Sequence, residues 1–402
     1  MAMLPFARST VRTLCLFFVL LLPVLLSGCG GGSSASPPTE ISATPGDAQV
    51  TITWNAESGV DYWIFYAPDP TIGPSNFVNV ANAKVLRNAS SPQVIAGLTN
   101  GLTYYFSING RTNNGPGGSA SPTVSATPRL AGAVWTVNTP LTSSNLNGLA
   151  FGAVGFVAVG AGGQMFSSLD GRTWVTQTSG VTSDLNAIVS VNGVYVGVGN
   201  NGITVRSTDG VTWTNAVASP NTLYAMAREG SSYVAVGAAG TVVTSSSSGN
   251  DWAAQNSGTS VNLRGIAFNG SVFVAVGDNG TVLSSSDLVT WTPQVSGVTA
   301  TLRSIAFGLT RFVAVGDGGT IITSTDGVTW TVDTDPTTDT LNSVVAGSQF
   351  IAAGVNGRIL TSPDGVNWSV AASNTTATLF GLAWSGSAYA AVGAAGTNLV
   401  SY

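Results

Sequence analysis

Tryptophan recurs at Trp135, Trp174, Trp213, Trp252, Trp291, Trp330 and Trp368, every 39 residues except for a last step of 38. Seven glycines keep the same beat: Gly160, Gly199, Gly237, Gly277, Gly316, Gly354 and Gly393 each close an apolar run of the kind Phe312-Val-Ala-Val-Gly316. A period near 40 that belongs to a whole unit, not to one residue type, restricts the chain to a solenoid or a propeller.

The content of one unit decides between them. Leu302 to Thr331 reads as four short β-rich runs separated by the turn signals Gly308-Leu-Thr310, Asp317-Gly-Gly319 and Thr325-Asp-Gly327, with no stretch that makes a useful helix. Its second run, Phe312 to Val315, is apolar at consecutive positions, as a strand buried on both faces requires. The first run carries small residues (Ala150, Ala227, Ala267, Ala306, Ala383), which suits the crowded strand nearest a propeller axis. The Trp is then expected on the outer strand, where neighbouring blades diverge. The repeats open with a lone Trp segment, Ala133 to Asn138, and the chain stops at Tyr402, one turn short of a further Trp. The first strand therefore supplies the missing fourth strand of the last unit, which leaves no free sheet edge. Residues 131–402 have the length of seven units, so the expected fold class is all-β, with a seven-bladed β-propeller closed by its N-terminal strand.

The turn before each Trp takes the form Ser168-Leu-Asp170-Gly171-Arg-Thr-Trp174, repeated as Ser207/Asp209/Gly210/Trp213, Ser324/Asp326/Gly327/Trp330 and Ser362/Asp364/Gly365/Trp368. Ser248-Gly249 and Asp287-Leu288 replace Asp-Gly in the third and fourth copies. This resembles the Asp-box (bacterial neuraminidase) repeat of sialidase-like and photosystem II assembly-factor propellers, one residue shorter than the usual Ser-x-Asp-x-Gly-x-Thr-Trp. The resemblance implies a fold and not an activity, because the box is a structural turn in that family. A carboxylate accepting turn amides beside a glycine of positive φ needs no catalytic explanation.

Ahead of the repeats, Arg8 and Arg12 precede an apolar run from Leu14 to Leu26, followed by Ser27-Gly28-Cys29. This resembles a bacterial lipoprotein signal, 1–28, with Cys29 as the lipidated first residue of the mature chain. Gly30 in place of Asp makes the outer membrane the expected location, and the Gly/Ser/Pro stretch within 29–39 reads as a flexible tether. Residues 40–129 alternate as sandwich strands, Val50–Trp54, Tyr62–Tyr66 and Tyr104–Ile108, with turn residues between. Trp54, Tyr104 six residues after Leu98, and the Asn113-to-Pro122 hairpin resemble a fibronectin type III domain, which implies a β-sandwich acting as a spacer.

Composition removes whole classes of chemistry. The chain has no histidine, and its two cysteines are Cys15 and Cys29, so triads built on histidine, His-ligated zinc and body disulfides are excluded. Lys84 is the only lysine and lies outside the repeats. Carboxylate chemistry remains, yet residues 131–402 hold a single glutamate, Glu229, and Arg172, Arg206, Arg228, Arg264, Arg303, Arg311 and Arg358 are scattered, with no marked acid pair. The net formal charge is −5 and falls further without Arg8 and Arg12, which excludes nucleic acid as a partner; about 8% of residues are charged, so recognition rests on shape and hydrogen bonds. Asp333-Thr-Asp335-Pro-Thr-Thr-Asp339 is the densest acidic stretch; lacking the glycine and final glutamate of an EF-hand, it reads as a solvated turn and not a calcium site.

In a propeller the starts of the inner strands and the loops between strands two and three share one face, at the mouth of the central channel. Asn147, Asn186, Tyr224, Arg264, Arg303, Asn342 and Phe380 open the inner strands and vary where the surrounding positions repeat. Arg264 and Arg303 face Asp278 and Asp317 of their own units, so two ion pairs are expected, with Tyr224 available for stacking and the asparagines as donors and acceptors. The sequence thus reads as a non-catalytic envelope lipoprotein, membrane-bound through Cys29, whose propeller binds a protein or polysaccharide without cofactor or metal. A sialidase-like glycoside hydrolase and a purely structural surface protein are the alternatives.

Overall fold

The computed structural model describes residues 32–230, 232–246, 249–333 and 336–402. The expected signal segment, the expected lipidation position Cys29, Ser248 and Asp335 lie outside them.

The N-terminal part is a two-sheet sandwich. Strands β1 (Ser33–Ala35), β4 (Asp61–Ala67), β5 (Lys84–Ala89), β7 (Tyr104–Thr112) and β8 (Val124–Ala126) make one sheet; β2 (Thr39–Gly46), β3 (Gln49–Asn55) and β6 (Gln93–Ala96) make the other. Alternation along β3, β4 and β7 turns Val50, Ile52, Trp54, Ile64, Phe106 and Ile108 into the space between the sheets, all buried. Trp54 meets Tyr62 edge to face at 5.5 Å, and the Tyr104 hydroxyl accepts the Thr99 N–H at 3.3 Å. One expectation is corrected here. Ser33–Ala35, within the stretch read as a flexible tether, pairs antiparallel with β7 as an edge strand, because small side chains let an extended backbone lie along that edge.

After Arg129 the chain forms a β-propeller. Among the described residues there are seven four-stranded antiparallel sheets, six from consecutive strands and one from Leu379–Trp384, Tyr389–Gly393, Asn398–Ser401 and the early strand β9 (Thr136–Val137). The inner strand of each sheet packs on that of the next, and the first, Leu146–Gly152, on the last, Leu379–Trp384. The ring is clasped by Leu399 pairing Val137 and Val400 pairing Thr136, by Asn138 donating to Asn398 Oδ1 at 2.8 Å, and by Gly132 N–H donating to Ser401 Oγ at 2.8 Å. The second strands are fully buried, as their unbroken apolar runs require.

In the six sheets built from consecutive strands, the third and fourth strands are joined at the outer end by the serine- and aspartate-containing turn. The serine Oγ accepts the glycine N–H, at 2.8 Å for Ser207 and Gly210, while the aspartate Oδ1 accepts two successive amides, at 2.9 and 2.7 Å for Asp209. The fourth copy keeps this geometry with Leu288 at φ +63°, and in the third copy Ser245 and Ser246 bond to Asp251 instead. The tryptophans stand one residue before the outer strand, except Trp252, which begins it; the expectation had them on the strand itself. In five of the seven the indole N–H closes the turn, as when Trp174 donates to Gly171 O at 3.2 Å and Trp135 to Gly132 O at 2.9 Å, while those of Trp213 and Trp330 have no partner among the described residues.

Candidate functional site

The mouth of the channel is built by one repeated irregularity. Every inner strand opens on a fully buried leucine (Leu146, Leu185, Leu223, Leu263, Leu302, Leu341, Leu379) that pairs with the glycine ending the second strand. The register then slips by one residue, and pairing resumes at the small residues Gly148, Ala187, Ala225, Gly265, Ser304, Ser343 and Gly381. The residue skipped by each β-bulge is the second of its inner strand, just inside the leucine: Asn147, Asn186, Tyr224, Arg264, Arg303, Asn342 or Phe380. A bulge leaves its extra residue unpaired and re-aims the side chain. All seven, half-buried, line a single cavity of about 210 Å³. Small residues follow because the inner strands nearly touch: a Cβ on Gly148 would lie 2.9 Å from Ala187 Cα.

The structure divides these seven residues into two arcs. Asn147, Asn186 and Asn342 each donate Nδ2 to the backbone carbonyl of the next sheet's opening leucine, Leu185 at 3.0 Å, Leu223 at 2.9 Å and Leu379 at 3.0 Å. Asn186 Nδ2 also reaches Asn200 Oδ1 at 3.1 Å. These amides hold neighbouring sheets together, a role beyond the donors and acceptors that the sequence offered to a ligand.

Arg264 and Arg303 take the other arc. Arg264 binds Asp278 through both Nε and Nη2, the latter at 3.0 Å, and Arg303 Nε binds Asp317. Both expected ion pairs form. Asp278 is backed by Asn262 Nδ2 at 2.9 Å, a supporting residue the sequence reading did not single out because it lies outside the bulge positions. The hydrogen bond from Arg264 holds the Asp278 carboxyl below the ordinary carboxylate range, and the same bond raises Arg264 above the ordinary guanidinium value. Arg264 Cζ lies 5.2 Å from the Tyr224 ring centroid, so the ring already has a cation over it. Arg303 and Asp317 keep more than a third of their side-chain surface exposed, against 30% and 21% for Arg264 and Asp278, which makes Arg303 the more available cation.

The other charged candidates lie elsewhere. Glu229 ends the strand that Tyr224 opens, at the far end from the channel mouth. Arg172 sits over the Tyr402 ring at 4.4 Å, and Arg358 pairs with Asp339 at 2.7 Å. Asn356 completes the shell of Asp339 at 2.9 Å, so this carboxylate of the acidic stretch is already held by a cation and an amide. Burial raises the Asp333 carboxyl.

No protein-family model matches the chain, and no curated protein matches it. Its fold is similar to solved structures of YCF48 bound to a D1 peptide (TM-score 0.57, 19% identity, 66% of this chain and 94% of that one) and of YCF48 from Cyanidioschyzon merolae (TM-score 0.56, 17% identity, 67% and 99%). The WD40 β-propeller domain of Doa1 is similar as well (TM-score 0.53, 8% identity, 67% and 97%). At such identities the likeness is one of fold.

Proposed function

We propose that the chain is a non-catalytic cell-envelope lipoprotein in which a seven-bladed Asp-box propeller, 131–402, carried on a fibronectin type III-like domain, 40–129, binds a segment of another protein at its channel mouth. The observation that carries this reading is the set of seven bulge residues. They are re-aimed into one cavity, and on one arc of it the asparagine that bridges sheets in three units gives way to Tyr224, Arg264 and Arg303. Arg264, Arg303 and Tyr224 make the polar contact surface, opposite an arc whose asparagines hold the ring rigid. A fold neighbour solved with a bound peptide supports a protein segment over a polysaccharide as the ligand. The scattered arginines and the distant Glu229 supply no convergent set for glycoside cleavage. Anchoring follows from Cys29, with the outer membrane as the location. The test is affinity capture from envelope extracts by the wild-type protein and by Arg264→Ala/Arg303→Ala, alongside a glycan array. Loss of the captured partner in the variant supports the reading; equal capture, or glycan binding or hydrolysis by the purified protein, overturns it.

A further inference from the structure

The outer face of the five-stranded sandwich sheet holds a second group of unmatched polar atoms. Alternation along β4 and β7 sends Ile64, Phe106 and Ile108 inward and leaves Trp63, Phe65, Tyr105, Ser107, Asn109 and Arg111 on the other face. The excursion between β4 and β5 folds back over part of this face, setting Phe77 against Phe65 at 5.1 Å. What it does not cover is a cavity of about 500 Å³, lined by Trp63, Phe65, Phe77, Asn109 and Arg111 among others. That volume is in the range of small-molecule sites.

Three donors on this face lack partners, and two of them, on Trp63 and Arg111, belong to residues that line the cavity. Trp63 Nε1, Ser107 Oγ and Arg111 Nε are buried without a hydrogen bond among the described residues. Ser107 and Asn109 are 1% and 2% exposed, and Asn109 accepts Arg111 Nη2 at 3.2 Å. The guanidinium carbons of Arg111 and Arg87 lie 3.4 and 4.6 Å from the Trp63 ring centroid. Neither arginine has a carboxylate within ion-pair distance among the described residues. Leaving a buried donor unsatisfied costs about 1–3 kcal/mol, and more where charge is involved, so a ligand that satisfies several at once gains that differential.

We propose that this cavity binds a small aryl or alkyl carboxylate, its anionic head held by Arg111, Asn109 and the Trp63 indole N–H and its apolar body lying against Phe65 and Phe77. The carboxylate is the match because it accepts from several donors at once and a guanidinium presents a fork of them, while the aromatic wall takes no second charge. This site is independent of the propeller mouth and stands or falls separately from it.

The test is calorimetric titration of the full mature chain with 3-phenylpropanoate, with the neutral 3-phenylpropanamide as control. The expected result is saturable binding of the acid, at least about tenfold weaker binding of the amide, and a shift of the Trp63 indole N–H resonance in the nitrogen-correlated NMR spectrum. Arg111→Gln should weaken the acid about tenfold or more. Because Arg111 also packs on Trp63, a second variant, Ser75→Trp, fills the cavity from an exposed position without touching the sandwich core. It should abolish binding at an unchanged melting temperature. Absence of binding to the wild-type chain, equal affinity for acid and amide, or undiminished binding by a folded Ser75→Trp protein overturns the proposal. A purely structural cation–π stack would lower the melting temperature of Arg111→Gln while giving no titration in any variant.

Discussion

The two ends of each propeller sheet obey opposite rules. At the outer end the turn repeats one hydrogen-bond scheme, even where the residue that should be glycine is Leu288; the third copy keeps the glycine N–H to serine bond and takes Asp251 as the serine's acceptor. At the channel end one bulge repeats its backbone geometry with four different side chains, Asn in three units, Arg in two, and Tyr and Phe in one each. Both ends carry aspartates, and their partners tell them apart. Asp209, Asp326 and Asp364 face their own turn amides, whereas Asp278 and Asp317 face arginines on the channel mouth. Where packing and turn closure decide, the unit converges; where they do not, it is free to diverge, and a ligand surface is built from that freedom.

The sharpest way to break this contrast is to open the ring. Deleting residues 131–140 removes β9 and the buried Trp135, exposing the edge of the strand Asn398–Ser401. The loss should exceed the about 3–5 kcal/mol of truncating one buried tryptophan, with aggregation on heating. A deletion variant that stays monomeric with an unchanged melting temperature would remove the case for closure through Trp135.

Next in size is Arg264→Ala/Arg303→Ala. If the channel end carries recognition, partner capture should fall by at least about 2 kcal/mol, roughly thirtyfold, since anchor residues dominate such interfaces. The melting temperature should barely move, since partly exposed ion pairs contribute about 0–1 kcal/mol. Binding assays and thermal melts on the same protein separate the two effects. The reciprocal change, Asp326→Ala, removes an acceptor of two turn amides at 2.8 Å each and should cost about 1–2 kcal/mol of stability without altering capture. Equal loss of capture in both variants would erase the distinction between the ends.

Acid should act on the outer turns. Turn amides hold the Asp209 and Asp364 carboxyls below their ordinary value and Asp326 at about 2. A folded-state value below the unfolded one contributes stability above the unfolded value, near 3.9, that is lost as pH falls through the folded value. Melting temperature should therefore be flat from pH 7 to about 5 and drop between about pH 4 and 2, the exposure of these groups keeping each step small. A drop beginning near pH 6 would point to other groups.

The smallest expected effect is that of Asn147→Ala, which removes one amide bond to the next sheet and should cost about 1 kcal/mol in a thermal melt. A loss of capture without that cost would return Asn147 to the ligand surface.

Much of the fold was legible because a repeat states the same local constraint many times. The tryptophan spacing, the unbroken apolar second strand and the Asp-Gly turns each reappear as a defined element, and the closing strand followed from counting. The site was legible in position, since the seven variable residues do meet in one cavity, but not in role. The pairing of Arg264 and Arg303 with aspartates 14 residues ahead in their own units was legible, but nothing in the sequence says that Asn147, Asn186 and Asn342 reach a carbonyl about 40 residues ahead. The edge strand β1 was missed for a related reason: its Ser and Ala residues carry no alternation, and only the exposed edge of β7 makes them a strand.

The sequence by itself determined what is periodic or compositional: the repeat, its β content, the closing Trp135 segment and the removal of histidine, thiol and lysine chemistry from the repeats. Tertiary structure decided what depends on a neighbour distant in the chain. The bulges aim seven side chains into one space, the next sheet's backbone takes the asparagine amides, and pairing across β4 and β7 leaves Trp63 Nε1, Ser107 Oγ and Arg111 Nε without a hydrogen bond among the described residues. Local patterning fixes which face of a strand is apolar; only the assembled ring and sandwich fix which polar atoms find a partner and which are left to a ligand.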